Sequence, residues 1–348
     1  MIEDKNYFDF VIVGQGIAGT LLAHFLLKHG KSILVIDNNH ISSSTKIEAG
    51  IVNPITGKNF VLSWRINEFL PIAYETYDEI SEKLNITAYT KINIIRTFDT
   101  IDEENNWLGR TADPTLKHYI VPIADSSTFA ESVKQVFGYG ELTQTMQVNM
   151  ADIMNAYKSV LISKKSYLNE CFDYSKLRIN ADHYQYNDYT FKSIIFCEGF
   201  KGEFNPFFEN IGFASAKGEV LIIKIKNIQF NKIYKAKIFI VPMYDDIYWV
   251  GSGYEWDAKD DLPTEAGKQK LVSELEKILT VPFEIIDHKA AIRPTIYIRR
   301  PIVKVHTTNP EMVFFNGLGT KGASIGPFYA KQLAKYLVYK NPEDLNYN

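Results

Sequence analysis

Gly14-Gln15-Gly16-Ile17-Ala18-Gly19 is the string that most restricts what this chain can become. Its setting gives it weight, because a lone GxGxxG string is a common turn. Phe8 to Val13 is short, apolar and β-branched, which predicts a buried strand. From Gly16 to about Lys28 the apolar residues fall on helical spacing, and His29-Gly30 predicts the stop. Ser32 to Asp37 predicts a second strand, ending in an acid 18 residues past Gly19. Strand, glycine turn, helix, strand and acid together specify a dinucleotide-binding βαβ unit. Gly14 permits the tight turn, Gly16 lets a pyrophosphate approach, and Gly19 lets helix and strand touch. The helix start, with Ile17 and Ala18, offers free N–H groups and a partial positive charge to the phosphates. Asp37, with Asn38 beside it, is placed for ribose hydroxyls. The motif does not choose between FAD and NAD.

At 348 residues the chain is long enough for about two domains. Its later part changes character. Val220–Ile225, Ile238–Val241 and Ile247–Val250 predict strands with no helix between them, an antiparallel pattern. Helices are expected at about 65–85, 151–163, 266–279 and 327–339. The fold class is therefore α/β, with a Rossmann-like domain and an inserted antiparallel-sheet (α+β) domain. We expect residues 1–60, 141–205 and 286–348 to form the dinucleotide domain. Residues 61–140 and 206–285 would form the substrate domain.

Composition removes several classes. A net charge of -3 gives no electrostatic basis for nucleic acid or an anionic membrane. Lys224, Lys226, Lys232, Lys235 and Lys237 alternate with apolar residues, as on a solvated sheet face. Cys171 and Cys197 are far apart and the seven histidines follow no ligand spacing, so no metal is expected. The apolar run Phe10–Leu27 follows acidic residues and is interrupted by glycines, unlike a signal peptide or span. The expected location is cytoplasmic.

Further along come Ala49-Gly50-Ile51, Lys217-Gly218-Glu219-Val220, Val241-Pro242, Val250-Gly251-Ser252-Gly253-Tyr254-Glu255, Ile292-Arg293-Pro294 and Asn316-Gly317-Leu318-Gly319-Thr320-Lys321-Gly322. In this order they resemble the D-amino-acid-oxidase-like flavoprotein superfamily, particularly its glycine-oxidase and tRNA-modifying branches. The resemblance covers most of the chain and is weak from about 55 to 140. It implies noncovalent FAD held by the Rossmann-like domain, under a sheet that roofs a substrate pocket. It also implies hydride transfer from a CH–NH group of a small amine or amino acid, with oxygen or an unidentified acceptor taking the electrons.

Carried over residue by residue, Ser44, Thr45, Ala49, Gly50 and Ile51 match the segment passing the flavin end. Phe172 falls near adenine, and Glu198-Gly199 approaches the cofactor from its other side. Gly317, Gly319, Thr320, Lys321 and Gly322 form a glycine loop feeding a helix expected from Pro327. Such a loop stabilises the negative charge of reduced flavin, and Lys321 adds a full charge. Arg293 matches a substrate-carboxylate arginine and is counted with both the catalytic and the cofactor-facing residues. Phe239, Tyr254 and Thr320 are the remaining candidate substrate contacts. Phe239, Thr320 and Ile298 depart from the family's usual residues, which leaves the substrate open. Alternatives are an enzyme acting on a modified tRNA base, a flavin-binding protein without turnover, and a nicotinamide dehydrogenase.

Overall fold

The computed structural model describes residues 6–226, 228, 230–256, 258 and 260–345. Two large sheets organise the chain. In the first, Tyr167–Leu168, Ile33–Ile36, Tyr7–Val13, Tyr189–Phe196 and Met312–Asn316 run parallel, side by side in that order. The chain order reverses between Tyr7–Val13 and Tyr189–Phe196. In open α/β sheets ligands bind at that switch point, beyond the strands' carboxyl ends. A short antiparallel meander, Leu177–Ile179 and Tyr184–Tyr186, extends one edge.

Alternation along Tyr7–Val13 sends side chains to two cores. Phe10 and Ile12 join the helices Ile17–Lys28, Ile66–Leu84, Met150–Ser163 and Gly322–Tyr339. Val11 and Val13 join an aromatic layer with Tyr186, Phe191, Phe208 and Phe314. The helix Ile66–Leu84 therefore packs with the first sheet, although it lies in the stretch expected to join the substrate domain.

The second sheet has eight strands. Glu284–Arg293, Ala216–Lys224, Ile247–Gly251, Phe239–Tyr244 and Ile233–Lys235 are antiparallel neighbours. Ile94–Phe98 then joins in parallel to Ile233–Lys235, followed by Gly138–Leu142 and Ile120–Val121. The parallel pair departs from the purely antiparallel pattern expected. The divide expected at 286 falls inside Glu284–Arg293, and the one at 141 inside Gly138–Leu142, because both strands pair in this sheet. The helix Glu265–Ile278 covers one face through Leu271 and Leu275. The opposite face, carrying Val220, Val241 and Trp249, packs with Ile47, Ile55 and Phe60.

Two differences from expectation involve helices. Ile101–Thr111, capped by Thr100 accepting from the Glu103 N–H, lies outside the stretches where helices are expected. The C-terminal helix begins at Gly322, not Pro327, so its N-terminus sits directly on the glycine loop.

Candidate active site

The glycine loop leaves the first strand between two close neighbours. A Cβ on Gly14 (φ +99°) would stand 2.4 Å from the Cys197 carbonyl oxygen, and one on Gly19 would stand 1.9 Å from the Gly14 carbonyl oxygen. Both glycines are required by backbone packing. Gly16 differs: a Cβ there meets only Thr45 Oγ1 at 3.4 Å and otherwise faces open cavity. Asp37 ties the loop down. Its Oδ2 accepts from the Gln15 N–H at 2.8 Å and its Oδ1 from the Asn39 N–H at 2.6 Å. Thr45 Oγ1 accepts from the Ile17 N–H at 3.1 Å, joining the 44–51 segment to the helix start. Gln15 is buried and donates to the Met154 carbonyl at 2.9 Å.

Two cavities adjoin here. The larger, about 470 Å³, runs over the strand ends from Asp37 and Asn38 past Gly14, Gly16, Ile17 and Ala18. Phe172, Glu198 and Gly199 close its other side, and Ser44, Thr45, Gly319 and Gly322 line its inner end. The smaller, about 230 Å³, lies under the second sheet. Ala49, Gly50 and Ile51 line it from one side, Phe239, Tyr254 and Arg293 from the roof, and Thr320 and Lys321 from the glycine loop. Ser44, Glu48 and Gly319 line both. Of the residues expected at the site, Gly19 and Gly317 line neither. Gly317 (φ +77°) packs instead against Ile296, where a Cβ would stand 2.4 Å from Cδ1.

Arg293 is held by neutral acceptors. Its Nη2 donates to Ser252 Oγ at 2.5 Å, and both Nη atoms lie 3.3 Å from the Gly253 carbonyl oxygen. The guanidinium stacks over the Tyr254 ring at 4.4 Å. Among the described residues it makes no ion pair within 4 Å. Burial holds its pKa below the usual arginine value, with Tyr254 and Glu48 pulling the other way. Gly218 lies beneath it, and a Cβ there would stand 2.0 Å from Nη2.

Lys321 precedes the helix and donates from Nζ to Ser63 Oγ at 3.2 Å. Burial lowers its pKa, and Arg300 adds to that. Glu198 accepts from Tyr174 and, at 2.8 Å, from Asn205 Nδ2, while burial raises its pKa.

Glu48, Trp249 and Asn316 line the cavities without being among the residues expected at the site. Glu48 carries the one carboxylate at the junction of the cavities, with a pKa pushed up to about 8 by burial against the pull of Arg293. Trp249 Nε1 donates to the Ile47 carbonyl at 2.7 Å and clamps the 44–51 segment to the roof. Asn316 bridges the two sides: its Nδ2 donates to the Gly199 carbonyl and its Oδ1 accepts from the Gly317 N–H, each at 2.8 Å. Asn316 was visible in the motif series; Glu48 and Trp249 become neighbours only through the fold.

Residues 9–336 match the family described as FAD dependent oxidoreductase. The chain belongs to this family. Solved structures agree in fold along nearly its whole length. Glycine oxidase from Bacillus cereus superimposes with a TM-score of 0.80 at 16% identity, covering 97% of each chain. Iminodiacetate oxidase from Chelativorans gives 0.77 at 18%, covering 96% of each chain. L-proline dehydrogenase from P. horikoshii gives 0.74 at 16%, covering 97% of this chain and 94% of that one. A curated UDP-galactopyranose mutase from Mycoplasma pneumoniae is 46% identical over 35 residues, 10% of this chain and 9% of that protein. The match thus spans about a tenth of that curated protein's length.

As a flavoenzyme fold, the cradle suits FAD on its own geometry. An open Gly16 at a helix N-terminus and an acid at the second strand's end provide for a pyrophosphate and a ribose. The second cavity, at the inner end of the first, continues toward Lys321. Among the described residues no helix is long and apolar enough to cross a membrane, and no cluster of His, Cys, Asp and Glu could hold a metal ion.

Proposed function

We propose that this oxidoreductase oxidises the CH–NH group of a small amine or amino acid that carries a carboxylate. One observation carries the reading. Arg293 presents a half-buried guanidinium to the smaller cavity with only hydroxyl, carbonyl and ring partners among the described residues. A buried charge without a counterion is costly, and a substrate carboxylate supplies the missing partner.

FAD, when bound, supplies the hydride acceptor. The chain's residues do the rest. Arg293 fixes the carboxylate, so that the neighbouring C–H is oriented. Phe239 and Trp249 in the roof exclude water from one side of the cavity. Lys321 and the helix start behind it place positive charge at the glycine loop. The substrate carbon loses a hydride and its nitrogen a proton; water then hydrolyses the resulting imine to a carbonyl compound and ammonia or an amine. Oxygen or another acceptor would reoxidise the cofactor. Two unpaired cysteines, Cys171 exposed and Cys197 buried, support a cytoplasmic setting.

The test is anaerobic bleaching of the bound flavin against amino acids, N-methyl amino acids and polyamines. Bleaching by carboxylate-bearing amines supports the reading. Arg293→Met should weaken their binding by ~2–5 kcal/mol while leaving FAD content unchanged. Bleaching by polyamines alone, or none by any amine, would overturn it.

A further inference from the structure

A single row of residues crosses the second sheet. Arg96 is paired with Lys235, Lys235 with Phe239, Phe239 with Gly251, and Gly251 with Val220. Residues paired across neighbouring strands point to the same face of a sheet. Phe239 and Val220 line the smaller cavity, and Lys235 and Arg96 share that face of the sheet, one and two strands beyond Phe239 and outside the cavity lining itself.

These two cations are partly buried and adjacent. Lys235 Nζ lies 4.1 Å from the centre of the Phe239 ring, and the Arg96 guanidinium 5.5 Å from that of Phe60. Arg96 Nε is fully enclosed with no hydrogen-bond partner. Among the described residues neither makes an ion pair within 4 Å. The carboxylates that act on Arg96 are Glu103 and Asp99, and Glu103 Oε2 already accepts from the Asp99 N–H. Burial lowers the Lys235 pKa to about 8, and the charge acting on it, that of Arg96, adds to this by repulsion.

A solvated lysine stripe does not explain this. Lys226 and Lys237 are exposed, and Lys232 and Lys237 each pair with an acid; Lys235 is half-buried and, among the described residues, pairs with none. Cation–ring contacts offset part of the cost of burying one charge, not the mutual repulsion of two. An anion between them would remove the repulsion and partner Arg96 Nε.

We infer that Lys235 and Arg96 form a distal anion subsite, so that the substrate carries a second acidic group, carboxylate or phosphoryl, beyond the one held by Arg293. This rests on the amine-oxidation reading for the first carboxylate only. The second group would pass the Phe239 ring to reach Lys235. Monocarboxylic amines would then fill only the Arg293 end.

The experiment uses FAD-loaded protein and unreactive probes: pentanoate, glutarate and 4-phosphonobutanoate. Binding is followed by perturbation of the flavin spectrum and, independently, by calorimetry. Glutarate or 4-phosphonobutanoate should bind at least tenfold more tightly than pentanoate, and whichever does so identifies the acidic group. Lys235→Met and Arg96→Met should each remove that preference and leave pentanoate unaffected. Lys235→Arg, which keeps the charge, should retain it. Equal affinity for all three probes in the parent, no binding of any, or a preference that survives both Met variants overturns the subsite. Its failure is separable from that of the first reading. Flavin bleached by monocarboxylic amines without diacid preference sinks the subsite alone. Diacid preference without bleaching by any amine sinks the reaction assignment alone.

Discussion

Tyr77 donates its hydroxyl hydrogen to the Ala323 carbonyl at 2.7 Å, and Ala323 is four residues before Pro327. In a continuous helix that carbonyl would accept from the N–H of residue 327, which proline lacks. The phenol, 246 residues away in sequence, replaces the missing donor. The helix can therefore carry Pro327 in its second turn and still begin at Gly322, where its N-terminus meets the larger cavity.

Tyr77→Phe should accordingly cost ~1–3 kcal/mol, the penalty of leaving a buried carbonyl unsatisfied. In a chain of this size the melting temperature should fall by a few degrees. Restoring the N–H with Pro327→Ala should make the second loss smaller in a double-mutant cycle. Additive losses would show that the two residues do not share this carbonyl.

The glycines separate binding from folding. Gly19→Ala places a methyl 1.9 Å from the Gly14 carbonyl oxygen, a clash between backbones that no side-chain shift relieves. It should give little folded protein. Gly16→Ala places its methyl toward the cavity, with Thr45 Oγ1 at 3.4 Å as its only neighbour. It should fold with a near-parental melting temperature as apoprotein and bind FAD at least tenfold more weakly. Fluorescence quenching during FAD titration and thermal unfolding measure the two effects. A Gly16→Ala variant with parental FAD affinity would mean that the pyrophosphate lies elsewhere.

Much of this was legible in the sequence, for reasons that particular residues make clear. Local strings suffice where one turn does the work: Gly14, Gly16, Gly19 and Asp37 act within a single βαβ unit. The 44–51 segment was legible as small residues, yet Glu48 was not, because its importance depends on Arg293 arriving from a strand 245 residues later. Pro327 suggested a helix start, since proline favours the first turn; Tyr77, which makes another position tolerable, gives no local sign. Gly317 looked like its loop neighbours, but Ile296 behind it assigns it to packing. The parallel pairing of Ile94–Phe98 with Ile233–Lys235 joins distant segments and leaves no periodic trace.

Lys321 should tune the bound flavin. Its partly buried ammonium sits at the glycine loop, and flavin gains negative charge on reduction. Lys321→Met keeps most of the volume and removes the charge. The reduction potential should drop, on the order of 30 mV for ~1.4 kcal/mol of lost stabilisation in a two-electron couple. Sulfite affinity should fall in parallel, and Lys321→Arg should recover part of both. Unchanged potential and sulfite affinity would leave the helix N-terminus as the loop's only electrostatic contribution.

Glu48 should set a pH limit on carboxylate binding at Arg293. Burial raises its pKa to about 8, and Arg293 opposes that rise without cancelling it. Below pH 8 the side chain is neutral, and the Arg293 charge is fully available to a ligand. Above pH 8 an anion forms beside Arg293, so affinity for a carboxylate ligand should fall as pH rises through this value. The sign for stability is the same. A carboxyl whose pKa is higher folded than unfolded holds a proton that the unfolded chain has released, so its contribution declines from about pH 4.5 to about pH 8 and is level above. Glu48→Gln fixes the neutral form. Carboxylate binding, read from the flavin spectrum, should then lose its fall near pH 8, and apoprotein stability should lose its decline over the lower window. Arg293→Lys should keep a charge for Glu48 to oppose and retain both dependences in weakened form. If the Gln variant still loses carboxylate affinity near pH 8, the titrating group is not Glu48.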